Sequence, residues 1–257
     1  SEDTEPSGYQ FVSITDDGAV TVESGESYEL TITNKQVSAR LIVTKHVITN
    51  NEGNEEASDF TVNVTGINVS DTGFSGDENG TEVSLDAGDY SVDEDPFDGY
   101  TKTLSEDCSG SIAFGETKYC TIINDDIAPT ITLIKVVSDG DASPGDFTLT
   151  VGGDPVTSGV PQNVLANTEI EINEATFPGY HLVSITGDEE CPSELGDNVS
   201  PLDEGGSVTC TITNARDRGD LEGLKFHDID GDGQSGEGEG GLEGWIIGLY
   251  ADDDGGL

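Results

Sequence analysis

Segments of this chain recur at a fixed step. SYELTITN, TKYCTIIN and SVTCTITN end at Asn34, Asn124 and Asn214, an interval of 90 residues each time. The same step relates Lys45 in LIVTKHV, Lys135 in ITLIKVV and Lys225 in LEGLKFH. Between them, DFTVNV (59–64) is echoed by DFTLTV (146–151), and YSVDEDPFDGY (90–100) by IEINEATFPGY (170–180). A period of this length makes each unit one small domain, so that one fold has to be found and then repeated. Within a unit, short runs rich in Val, Ile and Thr alternate apolar with polar and are broken by Gly, Asn and Asp, as strands and turns are. The expectation is an all-β chain of tandem antiparallel β-sandwiches.

The register of the repeats divides the chain. Residues 40–127 and 128–217 are complete units, residues 1–39 match the C-terminal half of one, and residues 218–257 match an N-terminal half. Half a sandwich exposes an apolar face and open strand edges. Either the sequence is an excerpt of a longer array, or the tail of one chain completes the head of the next. In both cases the expected partner is the chain itself, head to tail. The absence of methionine and of a signal-like segment points the same way, to an excerpt or a processed product.

Composition limits function. The net charge is -44, from 53 acids and 9 bases, so the surface repels nucleic acid and anionic membranes and suits divalent cations. No run is long enough to span a bilayer, so no membrane insertion is expected. Cys108 and Cys120 fall in one repeat, Cys191 and Cys210 in the next, and none forms a CxxC motif. Two local disulfides are expected, hence an oxidising, extracellular setting. Sequons at Asn63, Asn68, Asn79 and Asn198 agree with that setting.

Strand alternation gives the polar repeats their meaning. Asn34 is in phase with Tyr28, Leu30 and Ile32; Asn124 with Cys120 and Ile122; Asn214 with Cys210 and Ile212. By the same count Lys45 joins Leu41 and Val43, and Lys135 joins Ile131 and Leu133. Glu94 joins Tyr90 and Val92, and Glu174 joins Ile170 and Ile172. Each complete unit therefore aims a lysine, a glutamate and an asparagine at its core. Burial disfavours charge, so such a lysine becomes a neutral nucleophile and such a glutamate holds its proton. Attack on the asparagine amide with loss of ammonia would leave an isopeptide bond between first and last strand. Lysines and asparagines at strand ends also snorkel or cap turns, and a single triplet would mean no more than that.

These residues resemble the prealbumin-like, Cna B-type surface domains of microbial adhesins and pili, an Ig-like sandwich family. The resemblance implies a lysine on the first strand, an asparagine on the last and a glutamate before a Pro/Gly-Tyr turn. It assigns Lys45, Glu94, Asn124 and Lys135, Glu174, Asn214 as isopeptide sets. A further pair, Lys225 with Asn34, would join two chains. The acid of the head is either Glu2 or Asp3, and Leu224 and Phe226 beside Lys225 are out of phase.

DIDGDGQSGEGE (228–239) fits the calcium-loop pattern D-x-[DN]-x-[DN]-G-x5-E. Asp228, Asp230 and Asp232 offer carboxylates, Gly233 the sharp turn, Gln234 its main-chain carbonyl and Glu239 a bidentate carboxylate, so calcium is the expected cofactor. The flanks LKFH and GLEGWIIGLY read as strands, and the loop resembles the Sdr B-type repeats of surface proteins. NDDIAPT (124–130) and ADDDGG (251–256) are weaker candidate cation sites, and GDEEC (187–191) reads as a solvated turn. No motif for catalysis on other molecules is present. The expected function is a structural segment of an extracellular cell-surface filament or stalk. The alternatives are the stalk of a ligand-binding adhesin and a spacer in a secreted enzyme.

Overall fold

The computed structural model describes residues 8–15, 21–219 and 222–248. The chain divides into two units, Ser1–Arg216 and Asp217–Leu257.

The first unit opens with β1 (Tyr9–Ile14) and β2 (Ile32–Gln36), an antiparallel ribbon. The first full domain follows: β3 (Ala39–Ile48), β4 (Thr61–Thr65), β5 (Gly73–Ser75), β6 (Thr81–Leu85), β7 (Gly88–Glu94), β8 (Tyr100–Leu104), β9 (Ser109–Ile112) and β10 (Thr117–Asp126). The second is β11 (Thr130–Asp139), β12 (Leu149–Val151), β13 (Asp154–Val156), β14 (Gln162–Asn163), β15 (Ile170–Glu174), β16 (Tyr180–Gly187), β17 (Asn198–Val199) and β18 (Ser207–Arg216).

The two domains have one topology. One sheet of the first runs β6-β3-β10-β8 and the other β5-β4-β7-β9; the second domain gives β14-β11-β18-β16 and β13-β12-β15-β17. Every pairing is antiparallel but one per domain: the first strand lies parallel to the last, β3 to β10 and β11 to β18. This is a departure from the purely antiparallel expectation. The parallel pairing is central to each domain, and it sets Lys45 opposite Ile122 and Lys135 opposite Ile212.

The cores form as strand alternation dictates. Leu41, Val43, Val62, Val64, Val83, Leu85, Val92 and Ile122 are buried in the first, and Ile131, Leu133, Leu149, Ile172, Val208 and Ile212 in the second. Two disulfides close beneath them, Cys108–Cys120 and Cys191–Cys210, each tying the segment after the penultimate long strand to the last strand.

The joint between the domains is short and hydrogen-bonded on both sides. The Ile127 N–H donates to the Gly99 carbonyl of the first domain, and the Ile127 carbonyl accepts from Gly205 N–H of the second. Gly99 has φ +80°, and a Cβ there would stand 2.6 Å from the Glu204 carbonyl oxygen, so only glycine fits. Asp126 of NDDIAPT is buried at this joint. Its carboxylate accepts from the main-chain N–H groups of Asn51 and Gly53 and from the Asn51 amide. The head repeats this joint, with Val37 N–H donating to the Gly8 carbonyl.

Two expectations for the incomplete ends change. In the head, Tyr28, Leu30 and Ile32 are exposed, and the strand starts only at Ile32. Among the described residues β2 pairs with β1 alone, so there is no opposing sheet for their apolar side chains to enter. Among the described residues of the 217–257 unit, the flanks of the acidic loop do not form strands. They meet at one antiparallel bridge, Phe226 to Gly241, backed by Leu242 N–H donating to the Lys225 carbonyl.

Candidate functional site

Each domain brings its lysine, glutamate and asparagine together at the seam between its sheets. In the first, Lys45 is fully buried, with Nζ 3.2 Å from Glu94 Oε2. Glu94 Oε1 accepts from Asn124 Nδ2 at 2.7 Å. In the second, Lys135 Nζ lies 2.7 Å from Glu174 Oε2, and Glu174 Oε1 accepts from Asn214 Nδ2 at 2.5 Å. β3 and β11 supply the amines, β7 and β15 the carboxyls, and β10 and β18 the amides, so each triplet spans both sheets.

The surroundings are apolar. Lys45 Nζ sits 4.0 Å from the centroid of Phe60, and Lys135 Nζ 4.3 Å from that of Phe147. Phe97 and Tyr100 pack on Phe60, as Phe177 and Tyr180 pack on Phe147. Burial pushes the Tyr100 hydroxyl up to about 12, so it stays neutral and accepts from Glu55 N–H. Desolvation holds both lysines below the ordinary lysine value despite the neighbouring carboxyls. Asn124 Oδ1 and Asn214 Oδ1 are buried with no hydrogen-bond partner among the described residues. A buried amide oxygen without a donor is costly.

The aromatic walls are functional residues that strand phase did not single out. Their signal was present in the repeats themselves, as the shared Phe of DFTVNV and DFTLTV and the shared Phe and Tyr of DPFDGY and ATFPGY. Gly76 also went unremarked. A Cβ there would collide with the Ala57 carbonyl and the Lys45 stem, so its absence makes room for the lysine.

The sequence matches the prealbumin-like fold domain family over residues 36–122 and again over 126–212. The chain belongs to that family. The two copies fall on the two sandwiches, take in the lysine and glutamate of each triplet, and end two residues before Asn124 and Asn214. No curated protein matches the chain. Among solved structures it is similar to the Bacillus anthracis TIE protein, at 16% identity and a TM-score of 0.47, covering 74% of this chain and 36% of that one. It thus spans just over a third of that protein's length. It is also similar to the major pilin protein T-13 of Streptococcus pyogenes, at 14% identity and a TM-score of 0.30, covering 69% of this chain and 97% of that one. A third similar structure is the C-terminal fragment of the pilus adhesin SpaC from Lactobacillus rhamnosus GG, at 13% identity and a TM-score of 0.33, covering 70% and 99%.

Beyond the two prealbumin-like domains, the acidic loop folds into a tight turn. Oxygens of Asp228, Asp232 and Glu239 lie within 4.8 Å of one another; Asp230 is outside this group, its carboxylate accepting from Asp232 N–H. Glu239 is held by the N–H groups of Gly236 and Ile229, which keep its carboxyl below the usual carboxylate value. Gln234 N–H donates to Asp232. A hard-oxygen donor set around a glycine turn fits calcium.

Lys225 is exposed over the Trp245 ring, 4.8 Å from its centroid, rather than inward. Asn34 is half-buried opposite Phe11 in the ribbon. Glu2, Asp3 and the whole of ADDDGG lie outside the described residues. Asn68, Asn79 and Asn198 are exposed and Asn63 half-buried, and the amide nitrogen of each donates to a carboxylate. Among the described residues no helix is long and apolar enough to cross a membrane.

Proposed function

We propose that the chain is a load-bearing segment of an extracellular surface filament or stalk, whose prealbumin-like domains each lock themselves with a Lys–Asn isopeptide bond. One observation carries this reading: the buried triplet bridges the parallel first and last strands, in the same form, twice. An unlinked triplet keeps a desolvated amine beside a carboxyl and an orphan amide oxygen, which is unfavourable in a core. In the reaction the neutral Lys45 amine attacks Cγ of Asn124, forming the Nζ–Cγ bond. The Cγ–Nδ2 bond breaks, and Glu94 carries the proton from Nζ to Nδ2, which leaves as ammonia. Lys135, Glu174 and Asn214 do the same. No oxidant or reductant is needed, and no external substrate is turned over.

Asp228, Asp232 and Glu239 would hold one calcium, whose binding stiffens the 217–257 unit. The array continues end to end at the ribbon. β2 stands where β10 and β18 stand, beside an equivalent of β8 and β16, and among the described residues it lacks the parallel neighbour those strands have. That neighbour comes from a longer array or from a second copy.

Intact mass under reducing conditions tests the central claim. Reduction opens both disulfides, and each isopeptide bond leaves the chain lighter by one ammonia. Two losses are expected; a mass matching the unaltered sequence overturns the cross-linking reading.

A further inference from the structure

The two triplets are alike, but the residues that hold them are not. In the first domain Lys102 lies directly across from Asn124 on β8. Its Nζ donates to Asp93 Oδ1 at 2.6 Å and to the Glu94 carbonyl at 2.8 Å. Asp93 Oδ1 in turn accepts from Glu94 N–H at 2.8 Å. The main chain of Glu94 is therefore clamped on both its donor and its acceptor by one ion pair. In the second domain both members of that pair are replaced. Leu182 stands across from Asn214, and Asn173 takes the Asp93 position, its Oδ1 accepting from Glu174 N–H. The ladder differs as well. β8 pairs with β10 without interruption, whereas the β16–β18 register slips between Leu182 and Ser184, next to the reacting asparagine. Finally, the first amine lies farther from its carboxyl than the second, 3.2 Å against 2.7 Å, so its ammonium form is less firmly held.

We infer that Lys102 is a positioning residue for cross-linking of the first domain, and that the first domain closes its bond before the second. The inference rests on the isopeptide reading. Lys102 touches neither the attacking amine nor the leaving amide. It fixes the strand that carries the proton-transferring carboxyl, and it lines the cavity of about 230 Å3 bounded by Glu94, Phe97, Tyr100 and Asn124, through which ammonia can depart. Small displacements of reacting groups are costly in rate.

The test follows each bond as it forms. The whole chain is synthesised in a cell-free system, aliquots are quenched by denaturant, and the cross-linked peptides of each domain are quantified by mass spectrometry after reduction and digestion. In the unaltered chain the Lys45–Asn124 product should lead. Lys102→Met should slow it about tenfold and leave the Lys135–Asn214 product on its original time course, and Lys102→Arg should restore most of the rate. A reciprocal variant, Asn173→Asp with Leu182→Lys, avoids any failure of Lys102→Met to fold and should accelerate the second domain. Unchanged kinetics in Lys102→Met, equal slowing of both domains, or no acceleration in the reciprocal variant overturns the role of Lys102. A second domain that closes first overturns the order. Absence of both products from the unaltered chain sinks the isopeptide reading and this inference with it.

Discussion

Glu94 and Glu174 each bridge an amine and an amide, so each should be indispensable to its own domain only. Glu94→Gln removes the proton carrier and should slow the first cross-link by about a hundredfold or more, and the ammonia loss seen by intact mass should fall from two to one over the same interval. The pH response follows from the lysines. A protonated amine has no lone pair, so the reaction quickens as pH rises through the lysine pKa. Desolvation lowers that pKa in both domains, so the rate should level off below the ordinary lysine value of 10.5, as stopped time courses at a series of pH values would show. Linkage gives the matching sign for stability. In an unlinked domain the unfolded lysine binds protons more readily than the folded one, so stability rises with pH between the lowered folded value and the unfolded one. The placement of Lys45, Glu94 and Asn124 on one inner face was legible from strand phase, because side chains alternate strictly. Phe60 and Tyr100 were not read as walls of a site, since aromatics in a core pattern carry no mark of what they touch. Lys102 was invisible for a different reason: its importance comes from lying across a ladder from Asn124, and cross-strand neighbours depend on register.

At the scale of elements, the last strand of each domain carries both a disulfide cysteine and the asparagine of its triplet. β10 holds Cys120, bonded to Cys108, and Asn124, which is joined through Glu94 to Lys45 of β3. The disulfide closes a short loop, and the proposed isopeptide would close a long one. Blocking the long closure with Lys45→Met should lower domain stability by about 4 kcal/mol, read as a lower denaturant midpoint under reducing conditions, with the second domain unmoved. The joint is a separate element. Asp126→Ala leaves the N–H groups of Asn51 and Gly53 without their acceptor, which should cost about 2 kcal/mol, and hydrogen exchange at those two amides should speed up. Sequence patterning conveyed the all-β, tandem character of the chain, because period and alternation are local signals. It missed the parallel pairing of first and last strands. Antiparallel neighbours are joined by turns that a sequence displays, whereas β3 and β10 meet only after the whole domain has closed. Patterning also overextended the strands beside the acidic loop and in the head, where apolar alternation is present and, among the described residues, no opposing sheet receives it.

Across the whole molecule, acidity and rigidity act together. A net charge of -44 repels like chains and favours cations at the few places where carboxylates converge. Of these, the loop of Asp228, Asp232 and Glu239 is the one expected to respond to calcium. Chelation should lower the unfolding temperature of the 217–257 unit, Asp232→Asn should abolish the difference, and an unfolding profile indifferent to chelator would remove calcium from the account. The parallel course of β3 and β10 has a consequence for growth. A chain that enters a domain at the foot of one strand and leaves at the head of its parallel neighbour has advanced by a full strand, about 33 Å for ten residues. Duplicating such a module in a gene therefore adds reach and no girth, and selection can set how far the structure extends simply by counting copies.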